Sequence, residues 1–168
     1  MRRKLLSFIC LLIIFGILAG CGPSIEEVST ETNTFVEQAF NDNPIKPNKT
    51  IESLSYYLPA EMVVDSEEEN NIILKQDEQL FILFVNPNEP KDSKVMYEST
   101  VSGAEKKIVN ETYTDDNRFG YVQVEEMEED NYEVSVGIGG VKMTTTCELK
   151  NVSESAQRMM VVVSSVEY

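Results

Sequence analysis

The sequence contains no histidine, no tryptophan, only three cysteines, and 14 Lys+Arg against 29 Asp+Glu. Without histidine, the commonest general base and the commonest metal ligand are both missing. The shortage of positive charge excludes nucleic acid as a partner, because a nucleic-acid footprint must be cationic. No serine-nucleophile motif and no zinc-ligand cluster can be read in the chain. Gly137-x-Gly139-Gly140 is not a phosphate loop: it joins two strand patterns and opens no helix. No cofactor is expected, and these absences favour a non-enzymatic protein.

Long hydrophobic runs are also scarce, with one exception at the start. Arg2, Arg3 and Lys4 precede an apolar stretch from Leu5 to Leu18, broken only by Ser7, Cys10 and Gly16. The stretch is shorter than the ~20 residues needed to cross a bilayer, and Pro23 opposes its continuation as a helix. It ends in Leu18-Ala19-Gly20-Cys21. A cationic start, an apolar centre and a small-residue exit are the three parts of an export signal. Other readings are a secretory signal with an incidental Cys at its exit, or an uncleaved anchor.

The last four of those residues resemble the lipobox of a bacterial lipoprotein signal peptide. That resemblance implies signal-peptidase recognition through Leu18, Ala19 and Gly20, cleavage before Cys21, and a diacylglyceryl thioether on Cys21. It further implies a protein held in the cell membrane by lipid, on the extracytoplasmic side. Residues 1–20 are then a signal peptide, 21–23 a lipid-anchored N-terminus and 24–168 one domain. Loss of residues 1–20 removes three basic residues of the 14 and no acidic one, leaving 11 against 29, a net charge of −18. Such a domain is repelled by an anionic bilayer and is expected to stand off from it. The lipid on Cys21 is the expected contact with the membrane; an envelope protein is a candidate partner, and the oligomeric state stays open.

With Cys10 discarded, the mature chain keeps Cys21 and Cys147, so no disulfide is expected and stability must come from burial. Ser24 can cap a helix that carries Ile25, Val28, Phe35, Val36, Ala39 and Phe40 at helical spacing, with Thr32 interrupting the stripe. Glu26 and Glu27 suit its first turn, and Asn43-Pro44 ends it. That helix is expected to pack on its own sheet, since its polar face lacks the Lys and Arg of a membrane-lying helix.

Strand patterns begin at Thr50. Ser53–Leu58 alternates, Met62-Val63-Val64 is short, and Ser66-Glu67-Glu68-Glu69-Asn70 reads as a polar turn. Asn71–Lys75 and Leu80–Val85 are joined around Asp77-Glu78. Consecutive apolar positions at 72–74 and 81–84 predict strands buried on both faces, near the centre of a sheet. Residues 93–102 are expected to form a short helix ending at Gly103, with a strand as the alternative. Lys107–Thr114 follows as a strand, and Asp115-Asp116-Asn117 as a turn.

The last third is the most explicit. Gly139-Gly140 is a two-residue hairpin signal. Folding there pairs Ile138 with Val141, Val136 with Met143, Val134 with Thr145 and Tyr132 with Cys147, all on one face. A turn at Glu128-Glu129-Asp130 pairs Val124 with Val134 and Val122 with Val136. Period-two alternation makes that register unambiguous. A helix from about Ser153 places Ala156, Met159, Met160 and Val163 on one stripe.

The expected fold is α+β: an antiparallel sheet of six to seven strands flanked by an N-terminal and a C-terminal amphipathic helix. The order of helix, strands with a Ser55-Tyr56-Tyr57-Leu58-Pro59 opening, meander and helix loosely resembles the PsbP-like α+β fold over residues 50–168. The layout also resembles small lipoproteins of low-GC Gram-positive bacteria. These likenesses imply accessory or binding roles.

Asp115, Asn117 and Glu126 partly match a calcium loop with Gly120 at its sixth place, but Phe119 breaks the fifth and no helices flank it. A polar turn is the simpler reading. The acidic runs 67–69 and 125–130 read as solvated turns. Cys147, opposite Tyr132, reads as a core thiol with a raised pKa. Three functions compete: a lipid-anchored binding or accessory module, a small-ligand carrier with an apolar pocket between sheet and helix, and a carboxylate-only hydrolase.

Overall fold

The computed structural model describes residues 22–168, except 52, 53, 69, 102–105 and 129. Leu18, Ala19, Gly20, Cys21, Cys10, Ser53, Glu69, Ser102, Gly103 and Glu129 therefore lie outside the described residues. The protein is α+β. Helix α1 (Ile25–Asn41) is followed by strands β1 (Lys49–Ile51), β2 (Leu54–Tyr56), β3 (Val63–Glu68), β4 (Asn71–Gln76) and β5 (Gln79–Val85). Helix α2 (Val95–Val101) leads to β6 (Lys107–Thr114), β7 (Phe119–Glu126), β8 (Asn131–Ile138) and β9 (Val141–Glu148). A 3-10 turn, Leu149–Asn151, then enters helix α3 (Val152–Ser164).

β1 and β2 pair alone, and the other strands form a seven-stranded antiparallel sheet in the order β3-β4-β5-β9-β8-β7-β6. Two meanders thus meet at β5 and β9. The observed register pairs Ile138 with Val141, Val136 with Met143, Val134 with Thr145 and Tyr132 with Cys147, as the alternation predicts. Val124–Val134 and Val122–Val136 pair likewise. Asp77 and Asp130 take positive φ at the β4–β5 and β7–β8 turns, a conformation aspartate tolerates better than most residues.

One face of the sheet carries the core. Leu74, Phe81, Leu83, Val134, Val136, Met143, Val122 and Val124 are fully buried there, in one cluster with Ala156, Met159, Met160 and Val163 of α3. Each such side chain contributes roughly 1.5–3 kcal/mol by leaving water. Both long helices lie on this face, α3 over β8 and β9, and α1 between α3 and the β6 edge. As expected, α1 packs on the sheet, over β6 and β7, and it also packs along α3. Thr32, the interruption in its stripe, sits in the seam between the two helices. It is completely buried and meets Ser153 of α3. Ile25, expected in the stripe, is 44% exposed.

Ser24 and Glu27 form a reciprocal cap on α1: the Glu27 amide donates to Ser24 Oγ at 3.2 Å and the Ser24 amide to Glu27 Oε2 at 2.9 Å. The Ser24 amide, then its hydroxyl, holds the Glu27 carboxyl below its ordinary range. At the other end, Arg118 donates to the Phe40 carbonyl at 2.9 Å and lies 4.5 Å from the Phe40 ring centre. It supplies the cation that the last turn of α1 lacks.

Two strand expectations need correction. β3 runs on through Ser66, Glu67 and Glu68, where a polar turn was expected. It is an edge strand with a bulge between Val64 and Ser66, and charge on such an edge deters pairing with another chain. β4 and β5 are not buried on both faces: β9 is central, while Leu80 is 48% and Ile82 46% exposed. Their consecutive apolar residues form one buried row and one row on the open face.

That second face is covered only in part. The connection from β5 to β6 crosses it, and α2 lays Tyr97 against Phe119 and Tyr121 at ring distances of 5.5 Å. The expected helix over 93–102 is therefore α2.

Candidate functional site

The residues next to the expected anchor define one pole of the molecule. Gly22 and Pro23 are exposed and form one wall of an open cleft of about 550 Å³. Asp130 of the β7–β8 turn, Asn131 and Tyr132 at the start of β8, Glu148 at the end of β9, and Leu149 and Lys150 just after it form the rest. α1 starts at this pole, since Ser29 Oγ donates to the Ile108 carbonyl at 3.2 Å near the start of β6. The β7–β8 turn closes it: the Met127 amide donates to the Asn131 carbonyl at 2.8 Å, and Met127 is 48% exposed.

The opposite pole holds the β6–β7 turn, the β8–β9 hairpin and the C-terminus. Gly139 has φ +55°, and a Cβ there would sit 2.4 Å from the Pro90 carbonyl oxygen and 2.5 Å from Lys91 Cα. The 86–94 loop thus packs directly on the hairpin backbone, an approach only glycine permits. Lys91 Nζ donates to the Val166 carbonyl at 3.2 Å, and Tyr168 Oη to the Glu89 carbonyl at 2.9 Å. The chain end is tied into this pole.

The partial calcium motif is split between the poles. Asp115 Oδ1 accepts from the amides of Asn117 at 3.0 Å and Arg118 at 2.8 Å, closing the β6–β7 turn. The Asn117 amide first, then the Arg118 side chain, keeps the Asp115 carboxyl low. Glu126 sits at the far end of β7, 3.9 Å from Lys106 Nζ. Seven strand steps, about 23 Å, separate Phe119 from Glu126, so Asp115 and Asn117 do not share a site with Glu126. Among the described residues, no group of three or more His, Cys, Asp or Glu is arranged to hold a metal ion.

Cys147 is buried, and burial pushes its thiol up to about 11 against a hydrogen bond with Ser155. Above it, Gln79 Nε2 bridges Thr145 Oγ1 at 3.0 Å and Ser155 Oγ at 3.2 Å. This polar strip seals the sheet against α3. It is not legible in the sequence, because its three members sit on three separate elements. Nor is the open-face cleft of about 430 Å³ lined by Ile82, Phe84, Met96, Glu133 and Lys142. The run at 81–84 was its only trace.

No described helix is long and apolar enough to cross a membrane. The sequence matches no family model and no curated protein.

Proposed function

We propose that this protein is a lipid-anchored binding or accessory module at the extracytoplasmic side of the cell membrane, without catalysis of its own. One observation carries the reading: Leu18-Ala19-Gly20-Cys21 closes an apolar run that follows Arg2-Arg3-Lys4. In this reading Cys21 carries the acyl chains and becomes the first residue. Two chains suffice for lasting attachment where one is marginal. The capped start of α1 at Ser24 agrees with a domain that begins directly after the anchor.

The space between the sheet and the two long helices, α1 and α3, bears on the carrier alternative. It is filled by Met143, Met159, Met160, Val134 and Val136, each fully buried, which favours a module that binds through its surface. A carboxylate hydrolase needs one acid with a raised pKa. At Glu27 and Asp115 the displacement is downward, and no described Asp or Glu is buried.

Fractionation of cells making the full chain tests the anchor. Wild type is expected in the membrane fraction, and Cys21→Ala is expected to lose it or remain unprocessed. Cross-linking of the anchored protein in cells, followed by pull-down, tests the binding role; recovery of no envelope protein above the Cys21→Ala background would count against it.

A further inference from the structure

Resting on the lipid anchor proposed above, we infer that the pole built from Gly22, the β7–β8 turn and Lys150 faces the bilayer, while the β8–β9 hairpin points away from it. Successive Cα atoms are about 3.8 Å apart, so a lipidated Cys21 lies one such step from Gly22. Only Gly22 and Pro23 separate Cys21 from the capped start of α1 at Ser24, and both line the same open cleft as Asp130, Tyr132 and Lys150. That holds the start of β8 beside the headgroups.

β8 then leads away from the membrane for seven strand steps, about 23 Å. Its far end is fixed, since Gly139 donates its amide to the Phe119 carbonyl at 3.0 Å and packs on the 86–94 loop. The strand pairing assigns the other connections. Gln76 pairs with Gln79 at the β4–β5 turn, and the register with β9 sets that turn beside Glu148 at the near pole. The β6–β7 turn lies at the far pole, because Gly120 pairs with Ile138. The C-terminal end of α1 joins it there through Arg118 and Phe40.

Charge sets how this pole meets lipid. Exposed Glu128, Asp130, Glu148 and Glu78 outnumber Lys106 and Lys150 there. An anionic leaflet repels such a surface, so the domain rests on its lipid and not on a charged footprint. The open sheet face, with Leu80 and Ile82, is then turned sideways along the membrane plane.

Depth-dependent quenching tests the orientation. Mature lipidated protein, isolated from cells expressing the whole chain with Glu128→Cys, Lys150→Cys, Asp42→Cys or Asp116→Cys, is labelled with a fluorophore and placed in phosphatidylcholine vesicles containing a headgroup quencher. All four positions are exposed and Cys147 is buried. Labels at 128 and 150 should be quenched several-fold more than those at 42 and 116. Equal quenching at all four, or stronger quenching at 42 and 116, overturns the orientation. Acyl content of the same samples, read by mass, separates the two ideas. An orientation failure on acylated protein leaves the anchor standing, whereas absent acylation removes both.

Discussion

Thr32 Oγ1 and Ser153 Oγ lie 3.1 Å apart, both buried, joining α1 to α3 across 121 residues of chain. Ser153 Oγ also donates to the Val28 carbonyl at 3.3 Å. The seam between the two helices is thus specified by hydroxyls as well as by Val28, Val36 and Phe40. Replacing Thr32 by Val keeps its shape and removes the contact. Thr32→Val is expected to lower stability by about 1 kcal/mol in urea unfolding. In a double-mutant cycle with Ser153→Ala the two changes should not add; full additivity would show that the hydroxyls do not interact.

The hairpin pole gives a larger effect. Gly139→Ala forces a Cβ into the Pro90 carbonyl and Lys91 backbone at a position with φ +55°. Combined strain and overlap should lower stability by about 2 kcal/mol or more. A shift in thermal midpoint no larger than that of an ordinary surface substitution would contradict the packing of the 86–94 loop on the hairpin.

One-sided burial of β5 is testable within two adjacent residues. Leu83 is fully buried and Ile82 is 46% exposed. Leu83→Ala should cost about 2–5 kcal/mol, and Ile82→Ser, which gives up only partial burial, about 1 kcal/mol. Similar costs at both would restore the two-sided burial that the sequence suggests.

Alkaline pH should weaken the fold. Burial raises the Cys147 thiol to about 11 and the Tyr56 phenol to about 12, and raises Tyr113 and Tyr121 further. The folded state therefore keeps protons that the unfolded chain releases from about pH 9 upward. Below that range both states hold them and stability is unaffected. Above it the unfolded state binds fewer protons, so stability falls as pH rises. Chemical denaturation at pH 8, 9.5 and 10.5 should give a steadily lower midpoint, and the native thiol should resist alkylation at pH 8. A midpoint that rises over this interval, or rapid alkylation of the folded protein, would contradict the buried assignment.

The meander was legible because its alternation admits one register: Val134 can face the core only if Ser135 does not. The capping pair Ser24 and Glu27 was partly legible for a similar reason, being local. Thr32 was not, since its partner lies on α3 and a lone threonine in an apolar stripe looks like a flaw. Glu67 and Glu68 resembled a turn because an acidic edge strand and a solvated turn share one composition. Residues 81–84 misled because an exposed apolar row beside a buried one looks the same as burial on both sides. The site followed the same division. Leu18–Cys21 is a contiguous pattern, whereas the cleft beside Gly22 draws on β8 and the β9–α3 junction, which only folding brings together.

The most direct measurement is the mass of the N-terminal peptide of the protein isolated from membranes of cells expressing the full chain. The account predicts a peptide that starts at Cys21 and carries a diacylglyceryl thioether on its sulfur. A peptide that starts at Met1, or at an unmodified Cys21, would contradict it.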